Sequence, residues 1–294
     1  MRSVVGMGND MSSVVRRQRL LAGVAGAAIA VSLGLNTPAR AQNAPLWTGF
    51  YIGGNLGVTW GHSNITTAVD CSNPGAIGPP VVGYICGTGG VGAANAAALA
   101  ASGSGKISDT AFTGGIQGGY NYQWSKDYVV GIEADFEYFN LNGSQTGGGT
   151  YPVAGPFVAA GTPYSITTSF DTDWLVTLRG RLGWLYRPDL LFYFTGGVAF
   201  TRLEVGFNYS DGNGVNAIGN AAATKTGWTI GGGVQWAYDD HWRFRAEYLY
   251  VDFGSVTANG TIGLVSTGTA YSNAISTTGD LTAHIARVGV DYRF

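Results

Sequence analysis

Alternation of apolar and polar side chains with a period of two recurs eight times along the chain, over residues 47–60, 111–124, 128–141, 170–185, 190–205, 224–238, 242–253 and 281–294. Such a period sorts side chains onto the two faces of a β-strand. Eight strands are therefore predicted, each of about 12 to 16 residues, longer than the ~5 to 6 usual in globular sheets. The final segment is the plainest: Ala286, Val288, Val290, Tyr292 and Phe294 alternate with Arg287, Gly289, Asp291 and Arg293. One face is oily and the other carries charge.

The connections alternate as well. Ser125–Asp127, Arg187–Asp189 and Asp239–His241 are tight turns built from turn-forming residues. The other four connections, 61–110, 142–169, 206–223 and 254–280, are long and rich in Gly, Ala, Ser, Thr and Asn. With few large apolar residues they are expected to be loops with no core of their own, apart from a short helix over Ala93–Ala101. Short turns on one side and long loops on the other are how an outer-membrane barrel is strung, and a tilted crossing needs only ~9 to 11 residues.

Comparing faces across strands gives the orientation. One face carries Phe50, Ile52, Leu56, Val58 and Trp60 on the first strand, Trp174, Leu178, Leu182 and Trp184 on the fourth, and Trp242, Phe244, Tyr248 and Tyr250 on the seventh. Tryptophan and tyrosine gather at strand ends, as in the aromatic girdles on either side of a hydrocarbon belt. A soluble sandwich, the alternative, would bury its aromatics in mid-strand. The apolar face is thus expected outward, toward lipid.

The opposite face would line the lumen. Glu133, Asp135 and Glu137 on the third strand stand at the height of Arg179 and Arg181 on the fourth, and Arg243, Arg245 and Glu247 on the seventh lie beside Arg287, Asp291 and Arg293 on the last. Buried charges are tolerated only when partnered, so five acids and six arginines are expected to interlock. An eight-stranded barrel is just wide enough for side chains to fill, which predicts a plugged interior. Inward glycines such as Gly119 and Gly233 leave room for Tyr51 and Tyr193.

Composition agrees with a membrane barrel. Only 12% of the 294 residues are charged, 48 are glycine and mean hydropathy is +0.10, yet beyond residue 41 no apolar run is long enough for a membrane helix. The N-terminus reads differently: Arg16, Arg17 and Arg19 precede an apolar stretch from Leu20 to Leu35, followed by Ala39-Arg40-Ala41. This is the pattern of a secretory signal peptide cleaved after Ala41, so residues 42–294 are expected to form one barrel domain. Translation starting at Met7 or Met11 would leave the signal intact. Of the 16 basic and 18 acidic residues, 11 and 17 lie beyond residue 41, and the resulting −6 argues against a nucleic-acid partner. In an exported chain the two cysteines, Cys71 and Cys86, are expected to pair, closing a loop worth about 3 kcal/mol on the entropy model.

Catalytic and cofactor motifs are not credible. Gly87–Gly92 fits GxGxxG only formally in so glycine-rich a chain, and Gly105-Lys106-Ile107 fails the phosphate-loop pattern. The three histidines, His62, His241 and His284, lack metal-ligand spacing, no Ser or Asp partner is expected near them, and His62 and His241 should lie at opposite ends of the barrel. No enzyme activity, cofactor or metal is expected.

The stretches WTGFYIGGNLG at 47–57, RGRLGW at 179–184, WRFRAEYLYVDFG at 242–254 and the terminal RVGVDYRF resemble the alphaproteobacterial opacity-protein and porin-like surface-antigen family, relatives of the OmpA transmembrane barrel. The resemblance implies an abundant outer-membrane protein of Gram-negative bacteria that contributes to envelope integrity and surface interaction. It also implies contact with lipid and lipopolysaccharide, loops open to extracellular ligands, and a terminal signal, Val290, Tyr292 and Phe294, read by the barrel-assembly machinery. No peptidoglycan-binding domain follows Phe294, so a wall tether is not expected. A narrow porin-like channel for ions or small solutes is the alternative function, and it requires a water path through the charged lumen.

Overall fold

The computed structural model describes residues 46–71, 83–87, 91–155, 157–266 and 269–294; the expected signal peptide lies outside them. Eight antiparallel strands close into a barrel in chain order: β1 Gly49–Asp70, β2 Gly105–Gln123, β3 Tyr128–Thr150, β4 Pro163–Arg187, β5 Leu190–Asp211, β6 Asn216–Ala237, β7 Trp242–Ser266 and β8 Thr269–Arg293, with β8 pairing back onto β1. One helix, α1 (Ala93–Gly103), lies between β1 and β2. Its alanine-rich sequence favours helix.

The strands correct the sequence reading in one important way. They run 19 to 25 residues, and most of 142–169, 206–223 and 254–280 is strand rather than loop. A 25-residue strand extends ~80 Å along its path and, tilted by ~40°, rises ~60 Å. The apolar band of an outer-membrane barrel is only ~25 Å tall. The barrel therefore projects well beyond the belt on the side of its long connections.

The change of regime is marked in the wall itself. Register shifts fall between Tyr138 and Leu141, Asp171 and Leu175, and Asp252 and Ser255, the last at Gly254 with φ +65°. Bulges are common at barrel rims, where they bend and twist the sheet. Regular β2–β3 and β6–β7 pairing runs no further than Thr113–Phe139 and Trp228–Asp252, while the other ladders continue. Above that height regular pairing holds within two groups of four strands, β7-β8-β1-β2 and β3-β4-β5-β6.

Both groups contribute to an apolar core that includes Ile65, Leu141, Ile166, Phe170, Leu203, Val205, Phe253 and Ile285. The expectation that the long segments lack a core is overturned: Tyr151, Val158, Ile166, Val215 and Ile275 belong to it. Inward positions there read as isolated Ile, Val or Tyr among threonines and glycines, a density too low to register as a core in sequence. The cysteines form the expected disulfide, and Tyr84, Ile85 and Cys86 are buried in the same core with Leu99 of α1. Asn95 of α1 exchanges two hydrogen bonds with the backbone of Val153 (3.0 and 3.1 Å), fastening the helix to the β3–β4 connection.

Candidate functional site

The inward face changes character at one level on four strands. Glu137 gives way to Phe139 on β3, Thr177 to Leu175 on β4, Glu247 to Leu249 on β7 and Arg287 to Ile285 on β8, all buried. Toward the short turns lies a charge network; beyond it lies the apolar core.

Arg179 is the hub. Its guanidinium meets Glu133 Oε1 at 2.6 Å, Asp135 Oδ2 at 2.6 Å and Glu247 Oε1 at 3.0 Å. Glu133 lies directly across the β3–β4 ladder from Arg179 and also accepts from Arg245 at 2.6 Å and Arg181 at 3.3 Å. Arg287 sits opposite Glu247 and pairs with it, with Asp135 at 3.3 Å and with Glu137, while Arg245 reaches Asp291 at 3.4 Å. These four arginines and five carboxylates are almost wholly excluded from solvent. Planar guanidiniums suit such a cluster because each presents several fixed donors.

Neutral groups that charge counting alone does not reveal complete the network. Tyr51 Oη donates to Glu133 at 2.6 Å and Tyr193 Oη to Glu247 at 3.1 Å. Gln117 and Gln235 each donate to Asp291, at 2.8 and 2.7 Å, and Thr113 and Thr177 donate to Glu137 and Asp135. All share the inward parity of their strands, which is the signal that finds them. Backbone at Gly119 and Gly233 leaves the space that Tyr51 and Tyr193 occupy: a Cβ would fall 2.6 and 2.7 Å from their hydroxyls.

Two arginines expected in this cluster lie elsewhere. Arg243 and Arg293 stand at the mouth on the short-turn side, where both donate to the carbonyl of Leu46, and Arg293 also donates to Thr48 O at 2.8 Å. Arg243 lies over the ring of Trp47, 5.2 Å from its centroid, and Trp47 Nε1 donates to Pro188 O at 2.9 Å. The segment preceding β1 thus turns into the mouth and stoppers it. Its carbonyls, invisible to side-chain counting, accept from both guanidiniums.

Outside, the belt is apolar and exposed: Phe50, Leu56, Ile116, Ile132, Phe136, Leu182, Phe194 and Ile230 all face outward. Trp124, Trp184, Trp236 and Trp242 ring its short-turn end, with Trp60, Tyr138 and Trp228 toward the other. Phe294 is 71% exposed, and its N–H donates to Phe50 O at 3.0 Å; its ring stacks edge-on with Tyr292, which meets Trp242. One histidine expectation fails. Because β2 begins at Gly105 rather than near residue 111, Ser108 comes opposite His62, with Oγ and Nδ1 2.9 Å apart.

A closed eight-stranded ring with an apolar exterior between two rows of aromatics and a charged interior is a transmembrane β-barrel. Residues 27–294 match the family described as outer membrane protein beta-barrel domain, and the chain belongs to that family. The 31 kDa outer-membrane immunogenic protein of Brucella melitensis is 31% identical over 194 residues, 66% of this chain and 70% of that protein. The 22 kDa outer membrane protein of Rhizobium leguminosarum is 28% identical over 49% of this chain and 54% of its own length. Among solved structures, that of Ail of Yersinia pestis aligns over 82% of this chain and 99% of its own at 12% identity and a TM-score of 0.32. The protein resides in the outer membrane, its short turns toward the periplasm and its long strands outside the cell.

Proposed function

We propose that this protein is a sealed, non-catalytic barrel that reinforces the outer membrane and raises a rigid β-rich body above it for surface interaction. The observation that carries this reading is the continuous filling of the interior: Trp47 in the periplasmic mouth, the arginine–carboxylate network above it, then an apolar core reaching the disulfide and α1. A water path would have to cross both a cluster whose carboxylates are occupied by guanidiniums and a layer of close-packed side chains. A body of this height, with parts of its β1–β2 and β3–β4 connections packed into its core, is a fitting surface antigen, in keeping with the name of the Brucella relative.

The non-catalytic reading is supported by the geometry of the histidines. His62 contacts Ser108, but among the described residues no carboxylate bonds its other nitrogen, so the orienting third member of a triad is missing. His241 belongs to a periplasmic turn and His284 bonds Tyr248. Val290, Tyr292 and Phe294 act as the assembly signal: they face outward at the end of the last strand, where the insertion machinery can reach them before the barrel closes. Deletion of the gene is expected to raise detergent sensitivity of the cells, with full restoration by the intact chain. Unchanged sensitivity in the deletion strain would overturn the envelope role.

A further inference from the structure

The outer wall of β5–β8, β1 and β2 carries two features that neither closure of the barrel nor its plug requires. The first is a hollow within the lipid belt. Gly232 on β6, Ala246 on β7 and Ala286 on β8 present almost no side chain outward, between a ridge at Phe194 and another at Leu56 and Phe112, leaving an apolar groove of about 860 Å3. Phe194, 77% exposed, stands proudest of the described aromatics.

The second feature lies directly above the groove in register. Val58 pairs with both Ala286 and Phe112 at the groove's upper edge; the next pair up is Trp60 with His284, then His62 with Ser108, then Asn64 with Lys106. The rings of His62 and His284 are 6.2 Å apart, His62 Nδ1 meets Ser108 Oγ at 2.9 Å, and His284 Nδ1 meets Tyr248 Oη at 2.5 Å. The chain has three lysines: Lys126 lies in a periplasmic turn, Lys225 is half-buried, and Lys106 is exposed here. The nearby carboxylates are engaged: Asp109 on β2, of opposite parity to Ser108, accepts from Asn142 N–H at 3.0 Å, and two more sit on the β7–β8 side. Asp280 accepts from the backbone N–H and amide of Asn64 at 2.7 to 3.3 Å, and Asp252 from Gly254 N–H at 2.9 Å. The β1–β2 side is left with imidazole, hydroxyl and ammonium donors at the height where aromatic residues mark the outer-leaflet boundary.

We propose that this face binds a phosphorylated glycolipid of the outer leaflet, with an acyl chain in the groove and a phosphate held by Lys106, His62 and His284. Between protein and hydrocarbon there is no hydrophobic drive, so packing decides which chain stays, and a walled hollow offers contact on more sides than a flat belt. At the boundary a phosphate accepts a charge-assisted hydrogen bond from the ammonium and further hydrogen bonds from imidazole N–H groups. The long lysine stem lets its head meet the phosphate from above. The proposal rests on the membrane-embedded reading, which the unboiled-gel mobility shift of the refolded wild type tests separately.

The test is native mass spectrometry of the refolded chain, residues 42–294, released from micelles doped with diphosphorylated lipid A, monophosphorylated lipid A or phosphatidylglycerol. Wild type is expected to retain diphosphorylated lipid A about tenfold more than phosphatidylglycerol. The H62Q/K106Q variant should lose most of that preference, and A246F, which fills the groove floor, should lower retention of all three. Equal retention of the three lipids by wild type, or an unchanged preference in H62Q/K106Q, would overturn the proposal. So would a dimer mass without lipid that A246F abolishes, since a second copy would then occupy the groove. K106Q alone, at an exposed position, serves if either of the other variants fails to fold.

Discussion

Replacing Glu133 by glutamine removes one negative charge from the most connected carboxylate of the lumen with little change in volume. Glu133 lies within 4.0 Å of four guanidiniums, those of Arg179, Arg245, Arg181 and Arg287, and it is the carboxylate that pairs with Arg181. Removing one partner of a buried pair leaves the other charge uncompensated in a medium that cannot solvate it, at about 3 to 5 kcal/mol. Glu133→Gln is accordingly expected to destabilise the folded barrel by that amount, read from urea unfolding in lipid vesicles by tryptophan fluorescence. The cause is then separable by a cycle. Arg181→Met in the Glu133→Gln background removes the stranded cation, so the double variant should cost at least about 1 to 2 kcal/mol less than the sum of the singles. A Glu133→Gln cost under about 1 kcal/mol, or strict additivity, would show that water reaches the network and that its burial has been misread.

Other parts of the structure make separate predictions. Leu141→Ala cuts into the core where Leu141 packs against Gly61 and should cost about 2 to 5 kcal/mol in the same unfolding assay. Cys86→Ser opens the disulfide loop and is expected to cost about 3 kcal/mol on the entropy model, seen as earlier protease cleavage of the extracellular body while the belt stays resistant. Phe294→Ala, at an exposed position, should change stability by no more than about 0.5 kcal/mol while lowering the amount assembled in cells; a large loss of stability in vitro would contradict its reading as a signal. Asp239 in a periplasmic turn accepts from the N–H groups of Trp242 and His241 at 2.7 and 2.8 Å, which holds its carboxyl below the usual range. Its contribution is therefore present above the ordinary carboxylate pKa and lost as pH falls through the lowered one, and Asp239→Asn should flatten the acid limb of the stability curve.

The lipid-facing half of this molecule was legible because lipid imposes an unambiguous code. Ile132, Phe136 and Tyr138 alternate with Glu133, Asp135 and Glu137, and no soluble face needs that contrast. Heights counted from the tight turns Ser125–Asp127 and Arg187–Asp189 put Glu133, Asp135 and Glu137 level with Arg179 and Arg181, because a tight turn sets where each strand of its hairpin begins. Once the strands leave the bilayer the code disappears. In Ser165-Ile166-Thr167-Thr168-Ser169-Phe170 the outward residues are small and polar, so a strand that buries Ile166 and Phe170 reads like a loop. Ser108 came beside His62 for the same reason, through an unread extension of β2. The placement of Arg243 and Arg293 at the mouth had no side-chain signal, since it is marked by hydrogen bonds to backbone carbonyls of residues 46, 48 and 240.

Single-channel conductance of the refolded chain, residues 42–294, in planar bilayers tests the sealed interior most directly. Wild type should give no steps above background after its gel shift confirms folding. Glu133→Gln should give none either, because the layer formed by Phe139, Leu141, Leu175 and Leu249 stays closed above the altered charge. Reproducible steps in wild type, or steps that appear or change size with Glu133→Gln or Arg179→Met, would mean that water threads the lumen and that the protein is a narrow channel.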